Sequence, residues 1–421
     1  MKKHPTELKG WTDQEALTLS ESAFDPNAFI LRTSDRILFK KCRRLWGWMS
    51  HLKQSRSMRE QADYFWFGTG MHYALEDYHG DNRYGRPDIA FQAYAIATLR
   101  ANTAPHNHSE LTPLGIAMMA YYVDTWLWNR EPYKTFIWNG VPQCEVNGHV
   151  NTGLVTAENY PIYYGFTIDR MVEDCYGQLW VMEYKSAKTF KSAHLDVDDQ
   201  VTAYVWCAQE HYKRKVSGCI YQQHKKQAPQ APRILKNGEL SVCKTQNTTG
   251  ALYRAAANAI YGDLQKAPPD VMKCYETLIS VEDYDGDKFI SRQSISRNEH
   301  QIASFEQKLQ MEIEDICNSD LPLYPNPTAM CEYMCPLMSA CVAMDSNGDY
   351  QSELDDLTVA AANGLTQREK EQSKWRNLLP HPSEISLTPQ LNQQEQAQER
   401  NLWQESDKEP QTLFLQDLGL L

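Results

Sequence analysis

The stretch GFTIDRMVEDCYGQLWVMEYKSAK, residues 165–188, decides the fold. Two runs rich in aromatic and β-branched residues flank the turn signal EDCYG, a pattern that predicts a β-hairpin. Side chains alternate between the faces of a strand, so Glu183 and Lys185 share one face while Trp180, Met182 and Tyr184 share the other. Asp169 lies near the end of the first strand. Two acids and one lysine then converge beside a sheet. Carboxylate oxygens suit Mg²⁺ or Mn²⁺, and a lysine near such an ion can orient water and steady a phosphoryl oxygen. An acid-X-lysine triplet on a strand is common, and an exposed edge of alternating charge explains it equally well.

The companions of the hairpin sharpen the reading. Upstream, GTGMHYALE places His72 and Glu76 four residues apart, on one face of a helix. Gly68 and Gly70 precede them and allow close helix approach. Downstream, DDQVTAYVW places Gln200 and Tyr204 at the same spacing on the helix after the hairpin. Each taken singly is also what an ordinary surface helix offers.

Around these motifs the chain divides by texture. Residues 1–30 read as an irregular arm. A helical lobe is expected over 31–130, with a helix after Ser34 or Asp35 running through RILFKKCRRLWGWMSHLK and others near 67–80, 88–100 and 109–129. Strands then dominate, followed by a helix near 194–212 and a strand near 217–223. This order predicts an α/β core over 131–320, with a mixed central sheet flanked by helices. A long basic loop, 224–250, interrupts it, and helices are expected near 250–266 and 297–317. A cysteine segment covers 321–345, and the polar, Gln/Glu-rich stretch 350–421 reads as a weakly ordered tail.

Composition sets outer limits. The chain has 421 residues, 42% of them apolar and 11% aromatic, which fits a globular protein. No run of eighteen apolar residues occurs, so no membrane span is expected. The opening MKKHPTELKGWTDQEAL has no apolar stretch after its lysines, so no secretory signal is read and a reducing cytoplasm is expected (that of a host, if the gene is viral). The net charge of −12 taken alone argues against nucleic-acid binding, but half of the excess lies beyond residue 350. Basic runs at 40–59, 211–215 and 224–236 read either as solvated faces or as phosphate contacts; in the last, Lys225, Lys226, Arg233 and Lys236 are the candidates. No G-x-x-x-x-G-K-[ST] motif occurs, so no helicase motor is expected.

Taken in order, the glycine-led H-x-x-x-E, then G-x-x-x-D-R, E-x-K and Q-x-x-x-Y resemble the RecB-like branch of the PD-(D/E)XK nucleases. That branch includes AddB-type helicase-nucleases, CRISPR spacer-acquisition exonucleases and tailed-phage exonucleases. The resemblance spans residues 34–341. It implies a restriction-endonuclease-like core in which His72, Asp169, Glu183 and the backbone carbonyl of Tyr184 ligate Mg²⁺ or Mn²⁺. Lys185 would position the attacking water, and Gln200 and Tyr204 would support the site and the bound strand. Glu76 matches a helical acid frequent in the family. The implied activity is hydrolysis of DNA, preferably as an exonuclease in recombination, repair or phage DNA processing. A catalytically silent DNA-binding scaffold of the same fold, or a zinc-stapled endonuclease, are the alternatives. Some relatives form rings, so a homo-oligomer is possible.

The same resemblance gives the cysteines a role. CEYMCPLMSAC, residues 331–341, supplies three thiols, and Cys42 lies upstream in SDRILFKKCRRLWGW. Part of the branch carries an iron–sulfur cluster that clips the two ends of the nuclease domain, one ligand before the core and three after it. Cys42, Cys331, Cys335 and Cys341 match that arrangement and imply a [4Fe-4S] cluster. The first gap here is one residue longer than the family's usual C-x-x-C, and four thiolates also suit zinc. The last residues, QTLFLQDLGLL, resemble peptides that dock on sliding clamps; a small helix packing on the body explains them as well.

Overall fold

The computed structural model describes residues 28–59, 63–127, 131–280, 286–318, 320–360 and 374–385. The first strand, β1 (Phe29–Arg32), leads into α1 (Thr33–Lys41) and α2 (Arg43–Met49). A short strand, β2 (Arg56–Met58), precedes the lobe helices α3 (Asp63–His79), α4 (Pro87–Arg100) and α5 (His108–Tyr121), the last continuing as a π-helical turn over Tyr122–Leu127. Three two-residue strands, β3 (Lys134–Thr135), β4 (Ile137–Trp138) and β5 (Val141–Pro142), lead to the long strands β6 (Cys144–Val155), β7 (Pro161–Glu173) and β8 (Leu179–Ala187). Then come α6 (Asp199–Tyr212), β9 (Val216–Lys225), α7 (Gly250–Tyr261), α8 (Pro269–Ile279), β10 (Ile290–Ser296) and α9 (Glu299–Ile316). The last elements are α10 (Met330–Met334), α11 (Met338–Asp345), α12 (Tyr350–Leu357) and β11 (Thr358–Ala360).

The central sheet is mixed, as the sequence predicts, and runs β1-β7-β8-β9-β10, with β6 and β3 also on β7. β7 pairs with β6 antiparallel along most of its length. On its other edge, β1 runs parallel over Ile162–Gly165 and β8 antiparallel over Arg170–Glu173. The two neighbours meet that edge at different heights, which leaves a fork beside Asp169.

Two cores sandwich this sheet. One gathers Tyr164, Ile168, Val181, Val205, Trp206, Phe305 and Ile313 under α6 and α9. The other packs Phe67, Met71, Phe91, Tyr94 and Trp126 of the lobe against Met182, Tyr184 and Ile220. The strand alternation read from the hairpin thus has a physical cause, since Met182 and Tyr184 are buried under the lobe. Gly70 is needed for that packing, because a Cβ there would lie 2.7 Å from the Tyr94 ring and 2.8 Å from Phe91. Gly68, expected to serve the same purpose, faces open space.

Several expectations are revised. The arm is not irregular to residue 30, because Phe29–Arg32 form β1. The helix expected through Cys42 breaks there: Cys42 is extended, at φ −163° and ψ 115°, between α1 and α2. The helix expected from 194 begins as a 3₁₀ turn, Leu195–Val197, and α6 starts after Asp198, whose carboxylate accepts from the backbone N–H of Gln200 and Val201. Between β9 and β10, residues 226–249 carry no helix, and the element not expected is α8; with α7 it carries Tyr253, Val271 and Leu278, which with Leu240 and Leu264 give the insertion a small core of its own. The weakly ordered tail expected from 350 is also corrected in part. α12 and β11 are formed, β11 pairs with β2, and Trp375 is buried against the lobe. The clamp-like residues 411–421 lie outside the described residues.

Candidate metal centre

The sheet register assembles the centre. β7 and β8 pair Arg170 with Met182 and Met171 with Val181, a register that, continued by one residue, sets Asp169 opposite Glu183. β6 and β7 pair Cys144 with Arg170 and Val146 with Ile168, which sets Glu145 opposite Asp169. β8 and β9 pair Glu183 with Tyr221 and Lys185 with Gln223. Three acids therefore form a row across three neighbouring strands. Like charges directly opposite one another destabilise a sheet, so the row calls for a cation.

His72 provides part of the answer. From α3 its Nδ1 lies 3.2 Å from Glu145 Oε1 and 3.2 Å from Asp169 Oδ1. The ligand atoms of His72, Glu145 and Asp169 all lie within 4.8 Å of one another. The other oxygen of Asp169 accepts the Tyr184 backbone N–H at 2.7 Å, which bridges the fork. Lys185 Nζ donates to Glu183 Oε1. Glu183 is 2% exposed, and among the described residues its buried Oε2 has no partner. Gln200 Nε2 donates to Tyr204 Oη at 2.8 Å on α6. Burial raises the Tyr204 phenol well above its usual range, and the Glu183 and Asp169 charges add to the effect, so α6 borders the same centre.

The electrostatics follow from this crowding. Burial opposes the charge on His72, yet Asp169 and Glu145 overcome it and raise its pKa to about 10. Asp169 is held below the usual carboxylate range: burial pushes it up, but His72, Lys185 and the Tyr184 N–H prevail. Glu183 is raised, first by burial and then by Asp169, against the pull of Lys185. Burial works against the Lys185 ammonium, but Glu183 and Asp169 hold it protonated. Imidazolium and ammonium here neutralise acids that a divalent ion could neutralise instead. The oxygen and imidazole donors, and the unpartnered Glu183 Oε2, fit Mg²⁺ or Mn²⁺.

The structure thus brings together His72, Asp169, Glu183, Lys185 and Tyr204, all singled out from the sequence, and adds Glu145, which was not. Glu76 lies on the same face of α3 as His72 and pairs with Arg376 at 2.8 Å. Of the candidate DNA contacts, Lys225 ends β9 and is half-buried. Lys226 is half-buried as well, with its ammonium 5.2 Å from the Phe67 ring and its N–H bonded to Ala187 O at the end of β8. Arg233 and Lys236 are exposed on the insertion.

Cys42, Cys335 and Cys341 pack against a core of Leu45, Trp48, Leu337, Ala340 and Leu354. Burial raises the Cys335 thiol, and Cys331, Cys42 and Cys341 each raise it further. Arg44 Nη1 donates to Cys341 Sγ at 3.1 Å although the two residues lie 297 positions apart, and the Thr328 N–H donates to Cys331 Sγ at 3.4 Å. Among the described residues, no three of these thiols form a group whose sulfur atoms all lie within 4.8 Å of one another.

Residues 35–342 match the PD-(D/E)XK nuclease superfamily model. The match covers most of the chain, which therefore belongs to the PD-(D/E)XK nuclease superfamily. Membership implies metal-dependent nuclease activity, with divalent ions such as Mg²⁺ or Mn²⁺ as cofactor and DNA as the class of substrate. A search among curated proteins finds no match to the chain. Among the described residues no helix is long and apolar enough to cross a membrane.

Two predictions arise here. Glu145→Gln is expected to weaken Mn²⁺ binding about ten- to a hundredfold, the range seen when groups around a metal are removed. Calorimetric titration checks it, and an unchanged affinity would remove Glu145 from the ligand set. The second concerns pH. A proton held at about 10 in the folded state against ~6.5 in the unfolded chain stabilises the fold fully below about pH 6.5, and that stabilisation is lost as pH rises through 10. Asp169 acts oppositely: its lowered pKa stabilises above ~4, and the benefit is lost as pH falls. Chelator-treated protein should therefore lose Tm between pH 6.5 and pH 10, by at least roughly 2 °C. Divalent ions should offset the loss, because they bind more tightly once His72 is deprotonated. Thermal melts at stepped pH, with and without Mn²⁺, measure both effects.

Proposed function

We propose that the chain is a RecB-like exonuclease that hydrolyses phosphodiester bonds at DNA ends, in recombination, repair or phage DNA processing. The observation that carries this reading is the row Glu145–Asp169–Glu183 across the fork, with His72 on one side and Lys185 on the other.

His72, Asp169, Glu183, Glu145 and the Tyr184 carbonyl would hold the divalent ion. When bound, it supplies charge neutralisation for the attacked phosphate and a more acidic water. The chain's own groups do the rest. The Tyr184 N–H holds the Asp169 carboxylate in one orientation. Lys185 stays protonated, lies beside the acids, and can donate to a water or to a phosphoryl oxygen. Tyr204, braced by Gln200, keeps a neutral hydroxyl that can donate to the bound strand.

In the same proposal Cys42, Cys331, Cys335 and Cys341 bind a [4Fe-4S] cluster, with zinc as the alternative occupant. The cluster would tie the helices before the nuclease core to those after it.

The test compares linear with covalently closed circular DNA in Mg²⁺, each strand labelled at its 5′ or 3′ end. An exonuclease degrades the linear form progressively and spares the circle. Cutting of the circle would replace the exonuclease by an endonuclease, and inertness toward both would favour the scaffold.

A further inference from the structure

The segment 374–385 lies beyond the family-matched residues and packs back onto the helical lobe. Trp375 is 2% exposed, with its ring edge-on to Tyr73 and Tyr94 at centroid distances of 5.1 and 4.9 Å. Tyr84 Oη donates to the Pro380 carbonyl at 2.7 Å, and Arg100 pairs with Glu384 at 3.1 Å. These contacts fix the next residue, Arg376. Its guanidinium lies 5.6 Å from the Tyr73 ring centre and 5.1 Å from that of Trp375. Both terminal nitrogens donate to Glu76, one helical turn beyond His72. The Arg376 side chain nevertheless remains 43% exposed.

The surroundings give this cation a use. Glu76, Glu145, Asp169 and Glu183 make this side of the metal centre acidic. A phosphodiester approaching these acids gains from a further fixed positive group beside them. An arginine already immobilised by aromatic packing and an ion pair gives up little side-chain freedom on binding, and its planar fork suits phosphate oxygens.

We propose that Arg376 is a phosphate-contacting residue of the DNA site, delivered by the C-terminal segment and held in place by Glu76. The proposal rests on the nuclease reading for its substrate class. It extends the functional unit past residue 342, where the family match ends.

The test is DNA binding by the full chain in chelator, followed by fluorescence anisotropy across a series of salt concentrations. Arg376→Ala should bind about three- to tenfold more weakly whatever the oligonucleotide sequence. Its slope of log affinity against log salt should fall by about 0.7 for single strands, or about 0.9 for duplex, as expected for one lost phosphate contact. Arg376→Lys should keep the slope. Trp375→Ala, which releases the segment, should show the same reduced slope as Arg376→Ala. A lower Tm with an unchanged slope in Arg376→Ala would reduce the residue to a brace and overturn the contact. That result leaves the nuclease reading standing. Binding by the wild type with no cleavage in Mg²⁺ would do the reverse.

Discussion

Lys185→Ala should slow Mg²⁺-dependent cleavage of linear DNA by about three orders of magnitude, roughly 4 kcal/mol of transition-state stabilisation. Among the described residues the ammonium is the one charged donor joined directly to Glu183, which is itself 2% exposed. Without it both Glu183 oxygens are left unpartnered. A buried carboxylate in that position takes up a proton more readily than it unfolds the protein, and Glu183 is already raised by burial and by Asp169. The variant should therefore remain folded, with a stability loss of about 1–3 kcal/mol. It should also bind DNA within a few-fold of wild type. Arginine should not substitute, because its wider fork does not reproduce a compact ammonium. Single-turnover rates, paired with thermal melts, separate the two effects. A folded Lys185→Ala protein that cuts within tenfold of the wild-type rate would remove the lysine from the chemistry.

The second large effect is expected at the cysteines. On the proposed cluster, Cys42→Ser should abolish iron or zinc binding and destabilise the chain by roughly 3–5 kcal/mol. The cluster would close a loop of nearly the whole nuclease domain, and constraints on long loops restrict the unfolded chain most. Cys42 occupies the extended joint between α1 and α2, and on the far side Cys335 ends α10 in extended conformation. Both are helix C-caps, the Cys42 N–H donating to Leu38 O and the Cys335 N–H to Cys331 O, so the serine variant keeps its backbone bonds and loses only the thiol. Cys175→Ser, at an exposed thiol, is the control. Iron and zinc content together with Tm decide the matter. Iron with visible thiolate absorption identifies the cluster, and colourless zinc-loaded protein identifies the alternative. Metal content and Tm that Cys42→Ser leaves unchanged would mean that the four thiols hold nothing.

Much of the centre was readable because its signals are local. Alternation along β8 fixes Glu183 and Lys185 on one face whatever surrounds them, and helical spacing fixes His72 with Glu76 and Gln200 with Tyr204. The order of elements likewise foretold a mixed sheet between helices. The break at Cys42 was not readable, because RILFKKCRRLWGW has no proline or glycine at the joint. Nor was the return of Trp375, which packs on Tyr73 and Tyr94, about three hundred residues away.

Glu145 shows most plainly where local reasoning stops. Near the β6–β7 turn Leu154 pairs with Ile162, and that register, carried down the hairpin, would set Asn147 opposite Asp169. The register shifts between Asn151 and Leu154, where Gly153 has a φ of +70° and donates its N–H to Asn151 Oδ1. The resulting bulge moves β6 by two residues and brings Glu145 to the metal centre, where its own φ is +47°. The sequence by itself determined which side chains share a face, because backbone periodicity is set within a few residues. Only the tertiary structure decided which faces meet and at what offset, because a bulge in one strand and the burial of two cores against one sheet settle register over distances that no local pattern spans.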